Sequence, residues 1–252
     1  MTFEGRSLPY ALGSVASLVL VVASAAAQSA SVQRGTVGCQ GIEVVSDELT
    51  RPEAEKYCRY AVGERKKVEQ FWGATWREPI RIQVSSSYSI ARSLVTNGGN
   101  PGNIEIPLST VRDGRSALLH EIVHNYAPNA NRFLQEGLGV YLQERMGGNA
   151  AFPNFGRKLH VLAGGALSSV GSLENLNNVR FPQPLSTVML ERTAYILAGS
   201  FVEFLIEKHG LPQFRTLYES EDYEKSGCVP SAAQVPAIVR AIPGKWSQMP
   251  SS

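Results

Sequence analysis

The spacing of apolar positions along the chain gives short strands first and long helices after them. Residues 41–46 alternate apolar and polar and read as a strand. Thr50-Arg-Pro-Glu53 then has the form of a capping box opening a helix. Ala54, Tyr57, Cys58, Ala61, Val68, Phe71 and Trp72 recur at helical spacing as a core stripe, and Gly73 ends the run. The basic triplet Arg65-Lys66-Lys67 on this helix reads as a solvated face. In residues 79–85, Ile80, Ile82 and Val84 fall on one face of a second strand. A serine-rich loop and the turn cluster Asn97-Gly-Gly-Asn-Pro-Gly102 precede a third strand, Asn103-Ile-Glu-Ile-Pro107. Its terminal proline suits a sheet edge.

From residue 116 the period changes to helical. Leu118, Leu119, Ile122, Val123 and Tyr126 mark one buried helix. After the breaker Ala127-Pro-Asn-Ala-Asn131, either Asn129 or Asn131 can cap the next. That helix carries Phe133, Leu134, Leu138, Tyr141 and Leu142, and Gly147-Gly148 stops it. Residues 152–190 are rich in Gly, Ser, Asn and Pro and read as a loop-rich segment crossing a cleft, with room for short helices. Residues 192–209 are apolar almost all round, which predicts a buried helix closed by Gly210 and Pro212. Short helices are expected at 213–219 and, interrupted by Pro236, at 235–242, followed by a loose tail. No internal repeat is visible.

The chemistry concentrates in Ser116-Ala-Leu-Leu-His120-Glu121-Ile-Val-His124-Asn-Tyr126, which contains H-E-x-x-H. Residues four apart share one helix face, so both imidazoles can reach a single ion while Glu121 projects beside them. Two neutral histidines and a carboxylate suit zinc with one coordination position left open. The ion makes a bound water acidic, and Glu121 is placed to take its proton. The alternative is a core helix with two incidental histidines. A third ligand must come from elsewhere. A metzincin would have Gly three and His six residues after the second ligand, where this chain has Ala127 and Ala130. His160 and His209 sit in no matching context, and an isolated histidine such as His160 reads as structural. Glu136 falls among apolar residues, where a lone carboxylate is expensive unless paired or bound to a metal. Gly137 and Gly139 each cost roughly 1 kcal/mol against Ala inside a helix. Without side chains, they would let this helix approach the zinc helix closely.

H-E-x-x-H followed by Phe133-Leu-Gln-Glu136-Gly137-Leu-Gly-Val-Tyr141 resembles the gluzincin peptidases, in particular the small peptidase MA-like domains. The resemblance extends through residues 193–210 and 214–218, covering about residues 79–245. It implies an α+β, zincin-like fold: a small N-terminal mixed sheet with an edge strand at the cleft, a zinc-binding helix and a mainly helical C-terminal part. It implies one zinc ion per chain, held by His120, His124 and Glu136, with Glu121 as general base. By the same likeness residues 103–107 would be the cleft-edge strand along which substrate backbone pairs. Tyr195, fifty-nine residues after Glu136, would support the oxyanion, with Tyr141 as second candidate. The chain departs from the family in the eleven residues between His124 and Glu136, which require a short connection, and in having Phe133 and Val140 where relatives often carry Trp and Glu. No segment of the G-x-M-x-N type for gripping a substrate amino terminus is present, so aminopeptidase action is not favoured.

Composition then sets the compartment. Residues 1–27 read as a signal peptide: Arg6, an apolar centre over residues 8–22, and Ala25-Ala26-Ala27 before Gln28. An uncleaved anchor is the competing reading, but the second half of the run is Ala/Ser-rich and only weakly hydrophobic. A periplasmic or secreted protein with no stable membrane span after cleavage is expected. Removing 27 of 252 residues leaves 225, which assign to a peptidase domain at 28–245 and a flexible tail at 246–252. The net charge of +2 and the lack of a basic, aromatic-interleaved run give no sign of a nucleic-acid partner. Of Cys39, Cys58 and Cys228, one pair is expected to close in an oxidising compartment. Cys39 with Cys58, tying the first strand to the following helix, is preferred, and the pairing stays open. The sequence thus points to a secreted zinc metallopeptidase acting on peptide or protein substrates. Two alternatives remain: a silent, zinc-stabilised scaffold of the same fold, and hydrolysis of a non-peptide amide such as a cell-wall peptide link.

Overall fold

In the computed structural model, residues 35–75, 79–95, 102–167 and 191–220 are described. The expected signal peptide, the turn cluster at 97–101, Cys228, the 235–242 helix and the tail lie outside them, as does the second half of the segment 152–190. The chain opens with a hairpin of β1 (Gly35–Cys39) and β2 (Ile42–Ser46), in full antiparallel register from Gly35–Ser46 to Cys39–Ile42. Gln40 and Gly41 both take positive φ, 41° and 77°, the backbone a two-residue hairpin turn requires.

Helix α1 (Arg51–Trp72) follows. Thr50 and Glu53 form the reciprocal capping box, and Gly73 closes the helix in the left-handed region at φ 67°. The chain then returns as β3 (Ile80–Ser85), parallel to β2. The two-residue β4 (Arg92–Ser93) and β5 (Asn103–Pro107) complete a five-stranded mixed sheet in the order β1-β2-β3-β5-β4. Residues 103–107 are therefore not the sheet edge: β5 lies between β3 and β4, and β4 holds the edge. Pro107 is tolerated because it is the last residue of β5, past the reach of the β4 pairing at Glu105 and Ile104. Ile42, Val44, Ile80, Ile82, Val84, Ile104 and Ile106 are all buried on one face. That alternation is the signature of a sheet covered on one side.

The rest of the described chain is helical. After the short α2 (Leu108–Arg112) come α3 (Leu118–Tyr126), α4 (Arg132–Met146), α5 (Leu159–Leu167), α6 (Glu191–His209) and α7 (Leu211–Ser220). The architecture is a mixed α+β one, a small mixed sheet followed by mostly helix. All nine residues of α3 are buried, because it lies between α1 and the sheet on one side and α4 on the other. No described helix is long and apolar enough to cross a membrane.

The basic triplet of α1 is not a solvated face. Arg65 bonds Glu69, the Tyr126 hydroxyl and Gly41 O, and Lys67 bonds Glu64 and Met146 O, so only Lys66 is exposed. These contacts fasten α1 to the hairpin turn, to α3 and to the end of α4. A disulfide joins Cys39 of β1 to Cys58 of α1 across 19 residues. Closing a loop of this length restricts the unfolded chain by about 3 kcal/mol. Replacing both residues (Cys39→Ser with Cys58→Ser) is expected to lower unfolding stability by about that amount in a urea titration.

Candidate metal centre

α3 and α4 bring the H-E-x-x-H residues and Glu136 together in the interior. His120, Glu121, His124 and Glu136 are each no more than 6% exposed. The Nε2 atoms of both histidines converge on one carboxylate oxygen, Glu136 Oε2, at 2.9 Å from His120 and 3.3 Å from His124. One donor atom from each of the three lies within 4.8 Å of the others. Donors sharing a tetrahedral ion at bond lengths near 2.1 Å sit about 3.4 Å apart, so the set fits zinc in identity and in spacing.

Local structure explains the convergence. The turn between α3 and α4 is fixed from both sides: Asn131 caps α4 by accepting from Leu134 N, and Asn129 accepts from Asn131 N. α7 holds it in place, with the Tyr218 hydroxyl donating to Ala127 O and Asn129 Nδ2 donating to Tyr218 O. Close approach then depends on Gly139, where a Cβ would stand 2.7 Å from His120 Nδ1. Gly137 serves a different neighbour from the one its place in the sequence suggested. Its missing side chain faces Ala198 O and Val202 of α6, not α3.

Burial alone would raise the Glu136 carboxyl, but His124 and His120 overcome it and hold the group well below the usual carboxylate range. Arg132, one turn earlier on α4, grips the other carboxylate oxygen at 2.6 Å and leaves Oε2 to the imidazoles. Burial is the main influence on Glu121 and pushes its carboxyl up to about 7. His120 opposes the rise, the nearby Glu136 adds to it, and the Ser93 N–H lowers it. That N–H belongs to the edge strand β4. Asn125 ties the same strand to α3, its Nδ2 reaching both Ser93 Oγ and Glu121 O. His124 Nδ1 is buried with no hydrogen-bond partner among the described residues.

These residues form the floor of a cleft of about 370 Å³. β4 and the loop before it make one wall, and Phe152 and Tyr195 stand in another. The Tyr195 ring is centred 6.2 Å from the His120 ring. Tyr141 is elsewhere, edge-on against Phe71 of α1, and takes no part in the cleft. His160 is also absent from it, lying against α6. A cavity of about 400 Å³ beside α1 is lined by Tyr57, Tyr60, Arg112 and Asn149 and by none of the H-E-x-x-H residues.

No family model and no curated protein matches the sequence. Among solved structures, an M1 zinc metallopeptidase from Deinococcus radiodurans aligns at 16% identity with a TM-score of 0.40, over 86% of this chain and 48% of that one. A mutant of the same enzyme gives the same figures. The chain thus spans about half the length of that enzyme, and at this level of likeness the site must be judged on its own residues.

Two contributors were not singled out from the sequence. Arg132 could have been found as an Arg four residues before Glu136 on one helix face. Ser93 could not, because it acts through its backbone on a residue of another element. Two outcomes follow. Arg132→Ala should weaken zinc binding by roughly 10- to 100-fold in a chelator competition, as loss of an outer-shell partner does. Gly139→Ala should weaken it as well, despite a gain of roughly 1 kcal/mol in helix propensity, because the added methyl displaces the His120 ring.

Proposed function

We propose that this protein is a secreted zinc metallopeptidase of the gluzincin kind, with residues 1–27 as its signal peptide and 28–245 as its peptidase domain. One observation carries the reading: two histidine Nε2 atoms and a buried carboxylate oxygen meet at the floor of an open cleft, with a second carboxylate, Glu121, beside them. His120, His124 and Glu136 would hold one zinc ion. When bound, zinc supplies a Lewis acid that makes water acidic near neutral pH and offsets negative charge growing on oxygen.

The chain's own residues supply the rest. Glu121 takes a proton on its carboxylate as water adds to the scissile carbonyl, then returns it to the leaving nitrogen. The Ser93 N–H steadies that carboxylate. The Tyr195 hydroxyl serves as a donor to the developing oxyanion. Arg132 keeps Glu136 anionic and oriented. The cleft-side edge at Ala91–Ser93 replaces residues 103–107 as the place where an extended peptide can lie along the sheet. Export is supported by the Cys39–Cys58 disulfide, which belongs to an oxidising compartment. The scaffold alternative is disfavoured by Glu121 itself, because holding an ion does not require a carboxylate buried next to another carboxylate.

Glu121→Gln should retain one zinc at this site yet cut peptide hydrolysis by at least 10²- to 10⁴-fold in a peptide-library digest. Undiminished cleavage by that variant would sink the mechanism.

A further inference from the structure

A second group of donors gathers away from the cleft, where α5 meets α4 and α6. We infer that His160, Glu203 and Glu207, with Glu144 beside them, form a second divalent-cation site that ties these three helices together. It shares no residue with the first.

The geometry is that of a ligand set. His160 comes from α5, and Glu203 and Glu207 stand one turn apart on α6. One donor atom from each lies within 4.8 Å of the others. His160 and Glu203 are 8% exposed. His160 Nδ1 is 2.7 Å from Ser200 Oγ and 3.4 Å from Glu203 Oε2. The Ser200 contact fixes the ring as outer-shell partners fix metal-binding imidazoles, turning the buried Nε2 toward Glu207. That Nε2 is 3.7 Å from Glu207 Oε2. The separation is too long for a hydrogen bond and close to the roughly 3.4 Å between two donors on one tetrahedral ion.

Glu144 supplies the independent observation. Its side chain is 5% exposed and Oε1 lies 3.0 Å from Lys158 Nζ. Its Oε2 is buried and has no hydrogen-bond partner among the described residues. Glu144 lies one turn past Val140, the α4 residue that abuts Gly199 of α6. Burial raises the Glu203 carboxyl first, and the charges of Glu144 and then Glu207 add to it, which puts Glu144 within electrostatic reach of the cluster. Lys158 and Arg145 work the other way. A buried carboxylate oxygen without a donor, such as Glu144 Oε2, is a costly state. A divalent cation at the neighbouring donors would relieve it. One imidazole with two or three carboxylates selects a borderline transition ion, and zinc outranks manganese for such a set.

The test is zinc binding by the chelator-stripped, purified full-length chain, counted by elemental mass spectrometry and by calorimetric titration. The wild type should take two zinc ions, and His160→Ala and His124→Ala one each. Glu207 is half-exposed, so Glu207→Ala keeps the fold if His160→Ala does not, and should weaken one of the two sites at least tenfold. A wild type that binds one ion, lost in His124→Ala and untouched in Glu207→Ala, overturns the second site and leaves the peptidase reading standing. One ion that survives His124→Ala but is lost in Glu207→Ala supports the second site and overturns the first. A wild type that binds none overturns both.

Discussion

Burying the Glu136 carboxylate is the constraint on which the rest of this structure depends. An anion at 3% exposure is tolerable only with compensating groups packed around it. Here they are two imidazoles from α3 and the Arg132 guanidinium from its own helix. The imidazoles can serve only if α3 and α4 approach closely, and Gly139 makes that possible at the His120 ring. The approach must also be held at one angle. That falls to the short turn between the helices, which Asn129, Asn131 and Tyr218 fix through hydrogen bonds and not through bulk. The polar floor of the cleft and the packing of the helical half are thus one problem with one solution.

A second consequence concerns α3 itself. A helix buried over all nine residues would ordinarily be apolar all round, yet this one carries two histidines, a glutamate and an asparagine. Most of its polar groups are given partners by neighbouring elements. Asn125 accepts from Gly102 N and donates to Ser93 and Glu121 O, while the His120 backbone N–H reaches Gln143 Oε1 of α4. Gln143 is in turn oriented by Asn149, which bonds Ser116 O just before α3. The site is therefore tied to the sheet edge on one side and to α4 on the other. Displacing β4 would disturb Glu121 before it disturbed the histidines.

Much of this was legible in the sequence because it is local. The i, i+4 histidines, the Thr50–Glu53 box, the Gly73 stop, the Asn131 cap and the alternation of Ile80, Ile82 and Val84 each follow from spacing within one element. What was not legible is relational. β1 escaped notice because Gly-Thr-Val-Gly-Cys has too few apolar residues to alternate, and it is a strand only because β2 pairs with it. The order of the sheet's last two strands escaped notice because β4 is two residues long and nothing in its sequence says that it pairs outside β5. Arg65 and Lys67 look like solvated charge until Tyr126 and Met146 O are brought to them from distant elements. Gly137 and Gly139 both signal a close approach, but spacing alone could not assign one to α6 and the other to α3.

The two donor clusters are connected by the packing of α4 on α6. On α4, Glu136, Val140 and Glu144 follow one another at intervals of four residues, as Tyr195, Gly199 and Glu203 do on α6. Both series are i, i+4 rows of the kind that form ridges at helix contacts. The middle pair is a direct contact, with Val140 against the bare backbone of Gly199, and Gly137 meets Ala198 just before it. Each cluster therefore stands one turn, about 6 Å of helix rise, from this contact, on opposite sides of it. Valine side chains packed on bare glycine backbone leave little slack, because a β-branched residue has few rotamers to retreat into. His160 fastens α6 at Ser200 and Glu203, and the same helix carries Tyr195 into the cleft wall. One rigid element thus serves both donor clusters.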